Sequence, residues 1–246
     1  MTPASIESNI FCVYQVFMKR VSNMSTQQPI RNVILEIDKM EGTEFPPASV
    51  VDFNGKTHTL QGIYSEAGIN LDIKKDQDDI PDLAGPDDVY TDAELHNLMT
   101  SNRNPLFRET ENELSAYLVV VTNYDTDGVL GVMFDTERRL GCAVFYGHDM
   151  IRTDPKAFLR TSAHELGHQF NLHHEDGRTF TDGSVTKYTI MNQTRLIQPW
   201  PNAIGFRFGD DESLHLSSHT ITNVKPGGGA FYDCDHEHAG WHGGIG

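Results

Sequence analysis

The chain is poor in cysteine and in positive charge, and each shortage removes a class of protein. Its 246 residues include three cysteines, Cys12, Cys142 and Cys234, with no paired spacing. That is too few for a disulfide scaffold or a Cys-rich zinc module, and an odd count leaves at least one thiol unpaired within a monomer. A Cys142–Cys234 bridge stays open. Lys and Arg number 19 against 35 Asp and Glu, for a formal charge of −16. Nucleic acid demands a basic footprint, and an anionic membrane surface repels such a chain, so neither is an expected partner. The acidic surface suits solubility first, and then calcium binding or attraction of basic substrates. No run of 18 apolar residues occurs, so no spanning helix is expected. The apolar stretch at 9–18 lacks preceding positive charge and a following small-residue cleavage site, so it does not read as a signal peptide. What remains is a chain with 38% hydrophobic residues, enough for the core of one large domain or two small ones.

Residues 31–40 are rich in β-branched side chains and read as a strand. Within 57–67, Leu60, Ile63 and Tyr64 fall at helical spacing, and Gly68 is a stop signal. Alternation then resumes at 69–74, so these three pieces form a βαβ unit with parallel strands. Residues 76–102 contain no Lys or Arg. There Asp76, Asp78, Asp79, Asp82, Asp87 and Asp88 make a solvated loop or a calcium site, ahead of a helix that Thr91 and Glu94 would open as a capping box. The apolar run 116–122 is expected as a buried central strand. Asn123, Asp125, Asp127 and Gly128 follow, resembling the start of a Ca2+ loop, although Phe134 stands where the closing Glu belongs. An Asx-rich turn without metal is the alternative. Residues 129–134 and 140–146 read as two further short strands. Residues 1–30 form an extension of unclear role, an added strand, a prosegment or an exposed arm. In the tail, Cys234, His236, His238 and His242 lie among glycines, and the tail reads as a second metal site or a disordered end.

The densest chemistry lies between these regions. Asp154 is placed to cap a helix with Pro155 at its first position. Leu159, Ala163, Leu166 and Phe170 form its apolar stripe. His164 and His168 stand one turn apart on another face, where two imidazoles can share one ion. Glu165 is about 100° round the helix from His164, able to reach a water on that ion without binding it. His174 is ten positions past the first histidine. To meet the same ion, the chain must leave the helix and turn back. Asn171 stands at that turn, and Asn is among the few non-Gly residues that tolerate the left-handed conformation.

This stretch resembles the metzincin zinc endopeptidases, whose motif is H-E-x-x-H-x-x-G-x-x-H, with Asn171 in place of the Gly. The resemblance implies an α/β fold. A five-stranded, mostly parallel twisted sheet with an active-site helix would span 31–174. A smaller irregular C-terminal subdomain, 175–246, would carry a methionine turn at Met191 and a last helix capped by Asp210, with a tail at 226–246. It also implies Zn2+ held by His164, His168 and His174, with Glu165 as general base and acid for peptide-bond hydrolysis and Met191 as a floor beneath the ligands. Some members bind zinc through a Tyr two residues past the methionine. Gln193 stands there, so no such role is expected. The strand at 129–134 would be an edge that holds an extended protein or peptide substrate. The resemblance further implies an extracellular location. Two rivals remain open, a catalytically silent zinc-binding scaffold and a zinc hydrolase for a small acyl substrate.

Overall fold

In the central strand of the sheet, alternate side chains enter two different cores, and the other elements are layered on its two faces. The computed structural model describes residues 31–85, 88–110, 113–174, 188–200 and 203–231. In chain order the elements are β1 (Arg31–Lys39), β2 (Val50–Val51), β3 (Thr57–His58), α1 (Leu60–Glu66), β4 (Ile69–Lys75), α2 (Asp92–Asn102), β5 (Glu113–Val121), β6 (Gly131–Phe134), β7 (Gly141–Phe145), α3 (Asp149–Thr153), α4 (Pro155–Gln169), α5 (Asp210–Ser218) and α6 (Ile221–Val224). The five-stranded sheet has the order β4-β1-β5-β7-β6. All pairs are parallel except β6 with β7, which leaves β6 as an antiparallel edge.

Along β5, Leu114, Ala116, Leu118 and Val120 enter the core under α1 and α4, while Tyr117, Val119 and Val121 enter the core under α2. A strand covered on both faces has no polar side to alternate with, hence the unbroken apolar run. The smaller C-terminal part is helical and packs Ile204, Phe206, Phe208 and Leu216 into the first of these cores. Tyr64 on α1 donates its hydroxyl to the Ala163 carbonyl of α4 at 2.8 Å, locking the two helices across that core. Among the described residues, no helix is long and apolar enough to cross a membrane.

Several boundaries shift from the sequence reading for local reasons. The helical stretch expected from residue 57 starts at Leu60, because Thr59 is extended and its hydroxyl accepts from Gly62 N–H at 2.9 Å. Thr57 and His58 instead pair with Val50 and Val51. The Asp52 carboxylate holds that hairpin, accepting from Asn54 N, Lys56 N and His58 Nε2 at 2.8–2.9 Å. Asp210 is not the cap of the last expected helix. It is its first residue, and Glu212 reaches back to the Gly209 N–H at 2.6 Å. The short helix α6 beyond it was not anticipated. Cys142 is a buried free thiol, so the bridge left open for it is not made. Cys12 and Cys234, Asp87, His236, His238 and His242 lie outside the described residues, as do segments 1–30 and 175–187, where the expected divisions of the chain fall.

The back face of the sheet carries one polar exception. Glu36 and Asp38, two apart on β1, are both fully buried. Burial pushes the Glu36 carboxyl up to about 7, opposed by the Asn104 N–H that it accepts and reinforced by the charge of Asp38. The native state therefore holds this proton more tightly than the unfolded chain, whose carboxyl titrates near 4.5. Its stabilising contribution is complete below that value and is lost as pH rises through about 7. Glu36→Gln keeps an acceptor for Asn104 and removes the titration. In calcium-free buffer the variant is expected to match the wild type near about pH 4 and exceed it by about 2 kcal/mol near about pH 8, a figure discounted for solvent screening at the neighbouring exposed Asp76. Thermal unfolding at the two pH values checks this.

Candidate metal centre

Helix α4 begins as its sequence dictates. Asp154 accepts from Lys156 N–H at 2.9 Å and Pro155 occupies the first turn. It ends in a Schellman turn. Asn171 N–H donates to His168 O at 2.9 Å and Leu172 N–H to Gly167 O at 3.0 Å. Asn171 itself adopts φ +66°, the left-handed conformation expected of it. The turn reverses the chain and brings His174 back over the helix. It also aims the Leu172 carbonyl at His168, whose Nδ1–H donates to it at 2.7 Å.

The structure brings His164, His168 and His174 into one buried cluster capable of chelating a metal ion. Their Nε2 atoms lie 3.1, 3.1 and 3.2 Å apart. His164 donates its Nδ1–H to Ile190 O at 2.7 Å. With both Nδ1 atoms protonated, the Nε2 atoms of His164 and His168 are bare acceptors that face each other. A cation between them removes that repulsion. Ligand nitrogens about 2.0–2.1 Å from tetrahedral zinc stand roughly 3.3 Å apart, close to the spacing seen. The residues therefore fit a zinc ion. The side-chain amide of Gln193 lies 3.2 Å from His174 Nδ1, so the third ring is engaged at its far nitrogen too. Such partners fix ring orientation and tautomer.

Electrostatics favour the neutral imidazoles that a metal needs. Burial lowers His164 well below its ordinary value, helped by the charges of His168, Arg160 and His174. Burial takes His168 down to about 3, with His174 adding to the effect. Glu165, only 6% exposed, has its carboxyl pushed up to about 8 by burial, opposed by the Arg160 guanidinium and by a hydrogen bond from Met133 N–H. Edge strand β6 lies directly against it. A Cβ on Gly131 would stand 2.6 Å from Glu165 Cγ and 2.9 Å from Ala143 O, so only glycine permits this approach.

Met191 sits in a tight turn under the helix. Its Sδ would be 2.6 Å from a Cβ on Gly167, so the glycine between the two helical histidines gives the thioether its place. Two buried charged side chains hold this turn. Glu212 accepts from Thr189 Oγ1 at 2.8 Å, and Thr189 Oγ1 in turn accepts from Met191 N–H at 3.1 Å. Arg160, 1% exposed, donates to Ile190 O at 3.0 Å, to Thr194 Oγ1 at 3.1 Å and to Asn192 O. The Ile190 carbonyl thus receives both Arg160 and His164. Sequence reading passed over Arg160, although an arginine one turn before His164 in a helix with an apolar face was a visible signal.

Arg160→Met is expected to take a charged donor from two buried carbonyls, Ile190 O and Asn192 O, costing about 2–4 kcal/mol of stability, and to weaken zinc by about 10–100-fold through His164. Arg160→Lys keeps a charge but not the fork, and should recover only part of each loss. Competition with a chelating dye, alongside thermal unfolding, reads both.

The Asn123, Asp125 and Asp127 loop is engaged with its neighbours. Asn123 Nδ2 donates to Asp88 O at 3.2 Å, and Asp125 N–H donates to Tyr90 O at 3.1 Å. No protein-family model matches the chain, and no curated protein matches it. The centre therefore stands on its own geometry, as a three-histidine cluster consistent with a zinc site.

Proposed function

We propose that the chain is a zinc-dependent endopeptidase of the metzincin type. The observation that carries this reading is the three-histidine cluster with the Glu165 carboxylate on the same helix, beneath the sheet edge β6. His164, His168 and His174 would hold zinc and leave a fourth position open. When bound, zinc supplies a Lewis acid for a carbonyl and acidifies water.

The remaining steps belong to the chain. The Glu165 carboxylate accepts a proton from the attacking water as the peptide carbonyl is attacked, and returns it to the leaving amine as the C–N bond breaks. Its burial supports the return of the proton, and a cation on the neighbouring histidines would favour the ionised form that accepts it. Among the described residues, strand β6 has β7 on one side only. Its other edge supports an extended protein or peptide substrate laid across the histidines by strand addition. Met191 and Arg160 act through the ligands and keep the turn rigid beneath them. The division into a part at 31–174 and a part at 175–246, and an extracellular place of action, belong to the same proposal.

The test is cleavage of a denatured protein mixture with and without a chelator. Proteolysis lost on chelation and restored by zinc is the expected result. Zinc bound without cleavage would transfer the site to a silent scaffold. Hydrolysis confined to small acyl esters would transfer it to the other rival.

A further inference from the structure

A second cluster lies on the opposite face of the sheet from the histidines. Glu36 and Asp38 point to one face of β1, and Asp76 follows the end of the neighbouring parallel strand β4. One carboxylate oxygen from each lies within 4.8 Å of the others. The surrounding contacts are these. Glu36 Oε1 accepts from Asn104 N–H at 2.7 Å. Asp38 Oδ1 accepts from Gln77 N–H at 3.0 Å and Oδ2 from the Tyr117 hydroxyl at 2.9 Å. Asp76 Oδ2 accepts from Asn104 Nδ2 at 3.2 Å. Glu36 Oε2 is different, for it is buried in a side chain with 0% exposure and has no hydrogen-bond partner among the described residues.

An orphaned carboxylate oxygen costs more than a neutral buried group left unpaired, and here two more carboxylates stand beside it. The partner that this arrangement lacks is positive. Arg103, whose charge acts on Glu36, donates Nη2 to Ser115 Oγ at 2.7 Å and lies over the Tyr117 ring, bonding no carboxylate among the described residues. A proton on Glu36 would relieve one charge of the three. A divalent cation would offset two of the three charges, bridge all three carboxylates and give the orphaned oxygen a partner.

We propose that Glu36, Asp38 and Asp76 form a calcium site. The donor set is all oxygen, which selects a hard cation over zinc. Two oxygens on one Ca2+ at about 2.3–2.6 Å can stand up to about 5 Å apart, a span that accepts this cluster. Mg2+ binds at about 2.0–2.1 Å and demands octahedral regularity, which suits less well three carboxylates already held by their own hydrogen bonds. Exposed Asp76 provides the entry, and calcium's remaining positions go to water or carbonyls. The bound ion would pin the ends of β1 and β4 to the chain after α2, because Asn104 bonds both Glu36 and Asp76. This site is independent of the histidine centre and of the peptidase reading.

The test is calorimetric titration of the zinc-loaded full chain with Ca2+ above neutral pH, paired with Tb3+ luminescence excited through tyrosine. One saturating calcium heat is expected. Asp76→Asn, at an exposed position, and Asp38→Asn should each weaken it at least tenfold, while Asp127→Asn in the Asx-rich loop leaves it unchanged. Tyr117, bonded to Asp38, should sensitise bound Tb3+, so Tyr117→Phe, read at saturating Tb3+, loses most of the emission. Absence of calcium heat, heat that survives Asp76→Asn, or heat lost in Asp127→Asn overturns the proposal. Tb3+ emission unchanged in Tyr117→Phe also overturns it.

Discussion

Glu165→Gln is expected to keep one zinc per chain and lose peptide-bond cleavage by at least about 10²–10⁴-fold, the range contributed by a positioned general base. The substitution is close to isosteric and keeps an acceptor for Met133 N–H. It also suits the site, because burial already disfavours the charged carboxylate there. The variant should therefore fold and retain its histidines in place. Glutamine cannot take the proton from water or return it to an amine. Steady-state cleavage of a fluorogenic peptide, with zinc content measured on the same sample, separates the two functions. A variant that lost zinc yet kept cleavage would contradict both halves of the assignment.

His174→Ala is the second large effect. Zinc affinity should fall by more than about 100-fold, beyond the 10–100-fold typical of losing a residue that only orients a ligand. The fold should survive, since His174 is the partly exposed member of the cluster and lies past the Schellman turn rather than within α4. Gln193 would lose its partner at His174 Nδ1, a small cost at a half-exposed position. Dye competition gives the affinity. Unchanged affinity would mean that a downstream carboxylate completes the site.

Local chemistry was legible where a short stretch decides the outcome. Thr91 and Glu94 form the expected capping box, with Thr91 N–H to Glu94 Oε2 at 2.9 Å. Asp154 and Pro155 open α4 as read. Asn171 takes the left-handed turn because two residues of context set that requirement. The strand order was legible in part, through the β-branched run of β1 and the apolar run of β5.

What escaped the reading depends on distant partners. Arg160 matters because Ile190 and Asn192, thirty residues on, present their carbonyls to it. Gln193 was set aside for lack of a tyrosine's chemistry, yet its amide meets His174. Gly131 looks like any strand glycine until Glu165 is laid against it. Glu36 and Asp38 sit in an apolar run that reads as an ordinary strand, and nothing in their neighbours signals that both are buried beside Asp76. In each case helix and strand periods describe one element, while the chemistry lies between elements.

The most direct measurement is the zinc content of the purified full chain beside that of a His164→Ala/His168→Ala variant. The tail carries His236, His238 and His242, so wild-type content alone would not locate the ion. One tightly held zinc per chain, lost in the double variant while the melting transition persists, is the predicted result. Zinc absent from the wild type, or held equally by the variant, would contradict the central claim that these histidines form the metal centre.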